Sequence, residues 1–295
     1  MVITVSLRNM FFDCPYKFFN FYVRRMQRKQ TPQPLQWGSL MHRALAALES
    51  VGPESIDLCV AEIRHEAEQG LYTAEDLTQL NEMLIVLPKA VGAYALKYRG
   101  DPYTPVELEK EFSVPLDKGH IFRGKVDGIV ERDGVFFLKE RKTAAKTGES
   151  YYERLPRDPQ LQGYVAAARL ALHYKINNVL YDVIKKPQLY RRVGENSESY
   201  ATRLGQEYLL RGDELCERRV IPMAGFVEQA YLDEMSEVAE MIEWCIARGT
   251  FPQQCAANRI GNCQYQPLCA QGAEGLYMQR PPEELHPELE GDNNV

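Results

Sequence analysis

No run in the 295-residue chain approaches the roughly 18 consecutive apolar residues that a membrane-spanning helix needs. The opening MVITVSLRNM lacks a cationic region leading into an apolar block, so a secretory signal is not expected and the chain reads as cytoplasmic. Basic charge is not in excess. Lys+Arg 35 against Asp+Glu 41 leaves a net charge of −6, which argues against a surface coated in cations but not against a local cationic groove. Internal repeats and clear linkers are absent. With 45% hydrophobic and 26% charged residues, wholesale disorder is excluded, and the length suits one large domain or two small ones.

What is there is patterned. Aromatics fill the stretch 6–22, which Cys14-Pro15 interrupts, and a basic run (Arg24, Arg25, Arg28, Lys29) follows. Leu40, Met41, Ala44, Leu45 and Leu48 recur with a helical period after Gly38. Further helices are expected near 54–69 and 74–98; Thr73 and Asp76 form a capping box for the second, and Pro88 should kink it. From Val106 the period changes to two. Val106, Leu108, Phe112, Val114 and Leu116 alternate with polar residues, a loop at 117–119 leads to a second strand through Val130, and Asp133-Gly134 turns into Val135–Leu138 as a hairpin. Asp158-Pro159 opens a helix to about 174, 179–184 reads as another strand, and a long helix runs from about 226 to just before Gly249. Helices, a sheet and more helices predict an α/β fold.

The hairpin carries the chemistry. With a two-residue loop at Asp133-Gly134, Arg132 pairs with Val135, and counting back sets Asp127 opposite Glu140, with Cβ atoms roughly 4.5–5.5 Å apart. Lys142 shares the face of Glu140. Two opposed carboxylates repel unless a cation lies between them, and oxygen ligands suit Mg²⁺ or Mn²⁺. Lys142 beside the pair can position water and balance charge on a phosphate. Glu107, Glu109 and Glu111 share one strand face, which reads as a solvated acidic face; Glu109 is expected to neighbour Asp127, with a further metal ligand there as the alternative. Gln160 and Tyr164 stand four apart on one helix face. The segments around Lys139, Arg141, Lys142 and Lys146, and around Lys185, Lys186, Arg191 and Arg192, are locally basic.

Seven cysteines in a reducing compartment are not expected to form disulfides. Cys59, Cys216 and Cys245 lie singly in expected helices and read as small core residues. Cys255, Cys263 and Cys269 lack the close pair spacing of structural zinc sites. Three thiols leave a tetrahedral metal or a cubane cluster one ligand short.

The order Cys14, Gly38-xxx-His42, Gly124-xx-Asp127, Glu140-x-Lys142-Thr143, Gln160-xxx-Tyr164 and three terminal cysteines resembles the PD-(D/E)XK nuclease superfamily. Within it, the match is to the RecB-like branch of CRISPR-associated and phage-type exonucleases with an iron–sulfur cluster. The resemblance implies a restriction-endonuclease-like core, a central mixed β-sheet flanked by helices. It assigns Asp127, Glu140, the Arg141 backbone carbonyl and His42 to a Mg²⁺ or Mn²⁺ ion, Lys142 to the attacking water, and Gln160 and Tyr164 to the catalytic surroundings. Glu140 stands where many members have Asp. Cys14, Cys255, Cys263 and Cys269 would hold a [4Fe–4S] cluster, with zinc as the alternative, stapling segments 1–36 and 250–270. The implied organisation is one nuclease domain over 1–280, with its catalytic core at about 100–185 and an acidic tail at 281–295. The implied activity is a metal-dependent DNA exonuclease acting on single strands or ends. The competing reading is a non-catalytic iron–sulfur DNA-binding scaffold working with a helicase or recombination partner. No Walker A loop is present, so unwinding would come from that partner.

Overall fold

The computed structural model describes residues 1–29, 37–69, 74–254, 263–281, 285, 286 and 289. The chain opens with a short strand β1 (Val2–Ile3), helices α1 (Val5–Asp13) and α2 (Pro15–Phe18), and strand β2 (Met26–Arg28). Three helices follow: α3 (Trp37–Ser50), α4 (Ser55–Gln69) and α5 (Ala74–Lys97). The expected meander is β3 (Thr104–Pro115), β4 (Ile121–Arg132) and β5 (Val135–Ala144). Helices α6 (Glu149–Glu153) and α7 (Pro159–Leu170) lead to β6 (Asn178–Lys185). Helix α8 (Ser197–Leu215), strand β7 (Cys216–Pro222), helices α9 (Glu228–Arg248) and α10 (Gln266–Gln271), and strand β8 (Tyr277–Gln279) complete the order.

The main sheet is mixed. β3, β4 and β5 are antiparallel neighbours, β5 and β6 are parallel, β6 and β7 are antiparallel, and β1 adds parallel to β4. The crossover from β5 to β6 carries α6 and α7, as a parallel pair requires. One face of the sheet packs apolar side chains from α1, α2, α7 and α9, while α3, α4, α5 and α8 form a second core on the other face. A mixed sheet flanked by helices is therefore what forms.

One feature of the topology positions the site. β3 pairs along one edge of β4 from Thr104–Glu131 to Pro115–Ile121. On the opposite edge, β1 meets only Ile121 and Phe122, and β5 meets only residues 128–132. Residues 123–127 on that edge pair with neither strand, so the sheet forks there, and β5 leaves β4 to join β6.

Helix α5 is one element with Pro88 inside it; Thr73, its expected cap, lies outside the described residues. Other local expectations need correction. α7 ends at Leu170 rather than near 174, where His173 takes a left-handed φ of 61°. Val106 is exposed because the β3–β4 register shifts between Pro105 and Glu107 and breaks the alternation. Cys216 is buried, but it begins β7 rather than lying inside a helix. Cys59 and Cys245 are buried helical residues as expected. Among the described residues, no helix is long and apolar enough to cross a membrane.

The two ends of the chain do meet. β2 and β8 pair antiparallel, Tyr265 donates its hydroxyl to the Met26 carbonyl (2.6 Å), and Phe19 stacks on Phe251 with centroids 4.5 Å apart. The Tyr16 amide donates to the Pro252 carbonyl (3.2 Å), and Cys14 Sγ accepts from the Gln254 amide (3.5 Å).

Candidate active site

The site forms at the fork. The Asp133-Gly134 turn sets Arg132 opposite Val135, and the register runs back in step to Gly128–Lys139. One pair further on, Asp127 would meet Glu140, as the sequence count requires. The ladder stops there because Asp127 turns its side chain into it: the Arg141 amide donates to Asp127 Oδ2 at 2.7 Å. A carboxylate thus replaces a strand carbonyl, which anchors Asp127 while its other oxygen faces His42.

His42 comes from α3 on one side of the fork. It sits one position beside the buried stripe of Leu40, Met41, Ala44 and Leu45, so the helix packs while the imidazole reaches the sheet. Nδ1 lies 3.3 Å from Asp127 Oδ1. Burial pulls the His42 pKa down, but the charge and hydrogen bond of Asp127 outweigh it and raise it above the ordinary histidine value. The same pairing works in reverse on Asp127. Burial pushes that carboxyl up, and His42, Arg141 and Lys142 together hold it well below the usual carboxylate range.

Glu140 is fully buried, and neither of its oxygens has a hydrogen-bond partner. Lys142 Nζ lies 2.5 Å from Oε1, an ion-pair contact without good hydrogen-bond direction. Burial, with the negative charge of Asp127 added, pushes Glu140 up to about 7 despite Lys142. Burial also lowers the Lys142 pKa, but Glu140 and Asp127 more than offset that, so the amine stays a cation.

Helix α7 supplies the remaining wall. Asp158 caps it, accepting from the Gln160 amide (2.8 Å) and the Leu161 amide (3.3 Å), and Pro159 occupies the first helical position. Gln160 and Tyr164 share a face as expected, and the Gln160 amide donates to the Tyr164 hydroxyl at 3.1 Å. Burial and the charges of Glu140 and Asp127 raise the Tyr164 phenol above its ordinary value, and its ring meets Phe112 edge-on with centroids 5.9 Å apart.

Two contributors, Glu49 and Tyr181, escaped sequence reasoning, and a third, Glu109, was anticipated as a neighbour of Asp127. Glu49, seven residues after His42 on the same helical face, holds Lys139 Nζ and Arg141 Nη2, each at 2.5 Å. It fixes α3 onto β5 from the opposite side of the strand. An i, i+7 relation to His42 was the available signal. Glu109 falls at the position of β3 facing Asp127 and takes a left-handed φ of 46°. It pairs with Lys125 at 2.9 Å, with Arg141 Nη1 3.8 Å away; it borders the site as expected, but it is engaged by cations. Tyr181 stands opposite Glu140 in the β5–β6 register, and its hydroxyl meets that of Tyr151 at 2.9 Å.

Among the described residues no group of three or more His, Cys, Asp or Glu side chains is arranged to hold a metal unaided. The acid pair nevertheless presents two buried, unsatisfied oxygens on Glu140 beside Asp127. Buried acceptors left unpaired cost about 1–3 kcal/mol each or more when charged, and a hard cation with oxygen ligands removes that cost. The chemistry of the pair fits. The cysteines do not make an equivalent case. Cys14, Cys263 and Cys269 are in no disulfide and form no metal-holding group among the described residues; Cys255 lies outside them.

No curated protein matches this chain. Among solved structures, the crystal structure of SSO0001 aligns over 79% of this chain and 84% of that one, at 13% identity and a TM-score of 0.35, a likeness too loose to carry an argument. The family comparison matches the PD-(D/E)XK nuclease superfamily over residues 3–270, a span that contains Asp127, Glu140, Lys142 and the two faces of the fork. The chain belongs to the PD-(D/E)XK nuclease superfamily.

Proposed function

We propose that this protein is a divalent-metal-dependent deoxyribonuclease, acting as an exonuclease on single-stranded DNA or DNA ends. The observation that carries this reading is the buried, hydrogen-bond-free carboxylate of Glu140 held beside Asp127 and Lys142 at the fork. Lys142 is a close cation, yet neither oxygen receives a directed hydrogen bond, and burying a carboxylate so incompletely answered is unfavourable; in a member of a nuclease superfamily this supports a site for a divalent cation.

Asp127 Oδ1 and the Glu140 carboxylate would hold Mg²⁺ or Mn²⁺, with the Arg141 carbonyl and His42 alongside. The bound ion supplies Lewis acidity at the phosphate and a water of lowered pKa. Lys142, kept protonated by the two acids, would offer positive charge to the pentacoordinate transition state as the water oxygen bonds to phosphorus, the phosphorus–ester-oxygen bond breaks, and the water's proton passes through solvent to the departing oxygen. His42 holds Asp127 in its anionic form. Tyr164, oriented by Gln160, closes the α7 side and offers a hydroxyl toward a phosphate oxygen. The simultaneous presence of Asp127, Glu140 and Lys142 speaks against a decayed, scaffold-only protein.

The cysteine staple is part of the same proposal, with Cys14, Cys255, Cys263 and Cys269 holding a [4Fe–4S] cluster between the chain ends. It rests on the resemblance and on Cys14 Sγ lying against the amide of Gln254, the residue before Cys255. The domain limits, 1–280 with a tail at 281–295, and a helicase or recombination partner complete it. Iron and acid-labile sulfide analysis of anaerobically purified protein tests the cluster: about four of each per chain supports it, and stoichiometric zinc removes it.

The nuclease reading is tested with end-labelled single- and double-stranded DNA in Mn²⁺ or Mg²⁺. Wild type should shorten the labelled strand from its end, and Asp127→Asn should leave it intact. Equal digestion by both proteins would overturn the assignment.

A further inference from the structure

Beyond β5 and β6 the chain presents an ordered, cationic and aromatic surface that the metal site does not use. β5 runs on from Lys142 to Ala144, roughly 7 Å at 3.3 Å per residue. There the Lys186 amide donates to the Ala144 carbonyl at 2.8 Å. The loop that follows, 186–195, lies against the start of α8. Tyr200 donates its hydroxyl to the Leu189 carbonyl (3.1 Å), and Arg203 Nη2 donates to the Tyr190 carbonyl (2.9 Å). Glu195 accepts from the Arg192 amide (2.8 Å) and pairs with Arg203 (2.7 Å). Gly194, at φ 76°, makes the turn back to the helix.

This bracing has a consequence for Tyr190. Its backbone is fixed, yet its side chain is 89% exposed, so the ring is held out in water by the loop rather than left there by a lack of structure. An ordered loop normally folds its aromatic inward, where it buries apolar area. Basic residues flank Tyr190 along the chain, and Lys146 follows Ala145, whose carbonyl accepts from Gln188 Nε2 at 3.4 Å. Arg191 is committed to Glu82 and to the face of Tyr200, 5.0 Å from its guanidinium. Lys146, Lys186 and Arg192 are exposed and form no ion pair among the described residues. Three acids of this region are paired: Glu195 with Arg203, Glu149 with Arg219, and Glu217 with Lys185, while Glu198 stands exposed in the first turn of α8. In a chain of net charge −6, this is a local positive strip with a solvent-facing π surface in it.

We propose that the 186–193 loop is a track for single-stranded nucleic acid leading to or from the fork, with Tyr190 as a base-stacking platform and Lys146, Lys186 and Arg192 as phosphate contacts. Every base offers a π face, and stacking needs that face free. The combination of a cationic strip and a presented aromatic therefore fits a single strand, whereas a duplex hides its bases and would use the cations alone. This deepens the nuclease reading by naming the form in which the strand lies next to the site.

The test measures binding without cutting. A fluorescein-labelled oligothymidine and a duplex of equal length are titrated in EDTA by anisotropy, with wild type, Tyr190→Ala, Tyr190→Phe and Arg192→Ala. The exposed positions leave folding intact, which circular dichroism checks. Tyr190→Ala should weaken single-strand binding about fivefold or more, with duplex binding unchanged and Tyr190→Phe close to wild type. Arg192→Ala should lower the slope of log affinity on log salt by about 0.7 for the single strand. Unchanged affinity in Tyr190→Ala, equal weakening for single strand and duplex, or no single-strand binding by wild type overturns the track. Because the assay contains no divalent ion, these outcomes are separate from the digestion result. A protein that binds through Tyr190 but never cuts would sink the nuclease reading alone.

Discussion

Asp182 and Glu140 are both fully buried carboxylates on neighbouring parallel strands, and they live in opposite circumstances. Asp182, on β6, accepts from Tyr94 (2.5 Å), from Arg218 Nε (2.5 Å) and from Arg218 Nη2 (2.9 Å), with Lys139 Nζ 3.9 Å away. Arg218 is itself tied to Asp101 at 2.5 Å and lies over the Tyr98 ring. Glu140, on β5, has no hydrogen bond to either oxygen. The first is a closed network whose charges are answered within the fold; the second is an open one, with Lys142 as its single close cation. A folded chain satisfies its buried polar groups unless something outside the chain is meant to do so. On the proposed function, the open carboxylate is the one a bound cation would complete, while the closed one is already answered by its neighbours.

The comparison can be broken at either end. The largest effect is expected at the closed network. Asp182→Ala strands Arg218 and Tyr94 and should destabilise the protein by roughly 3–5 kcal/mol, read as a large fall in the urea midpoint. Lys142→Ala should leave folding nearly intact yet lower DNA cleavage about 10²–10³-fold, as loss of a charge at the transition state does; single-turnover rates at saturating Mn²⁺ decide it.

Glu140→Gln sharpens the contrast through pH. The folded-state pKa of Glu140, about 7, lies above its ordinary 4.5. The native protein thus holds that proton more tightly, and wild type loses this contribution as pH rises from about 4.5 through 7. Glutamine cannot ionise. The melting temperature of metal-free Glu140→Gln should therefore gain on wild type across that window and level off above it. A constant difference, or one that shrinks with pH, would mean that Glu140 is not held protonated by burial. The smallest effect belongs to Tyr164→Phe, which removes only the acceptor of the Gln160 amide. About 0.5–1.5 kcal/mol of stability should be lost, with cleavage reduced by no more than roughly tenfold.

The hairpin was legible because its determinants are local. Asp133-Gly134 specifies a two-residue turn, the turn sets the register, and the register brings Asp127 to Glu140. Capping chemistry at Asp158-Pro159 located α7 and with it Gln160 and Tyr164. The fork was not legible. That β1 joins the same edge of β4 as β5, leaving 123–127 open, depends on pairing across more than a hundred residues. Helix α8, strand β7 and the role of Glu49 were hidden for the same reason: Glu49 meets Lys139 and Arg141 ninety or more positions away, and no periodicity announces such a contact. Val106 misled because a register shift can override alternation. The family resemblance supplied the roles of His42 and the cysteines, which residue chemistry alone left open.

The central claim is that the open carboxylate pair at the fork takes up a divalent cation. Titrating the protein with Mn²⁺ and following free ion by electron paramagnetic resonance tests it most directly. Wild type should remove about one Mn²⁺ per chain from solution, and Asp127→Asn combined with Glu140→Gln should abolish that uptake while Asp182→Asn keeps it. Equal uptake by wild type and the double variant, or none by wild type at millimolar Mn²⁺, would contradict the account.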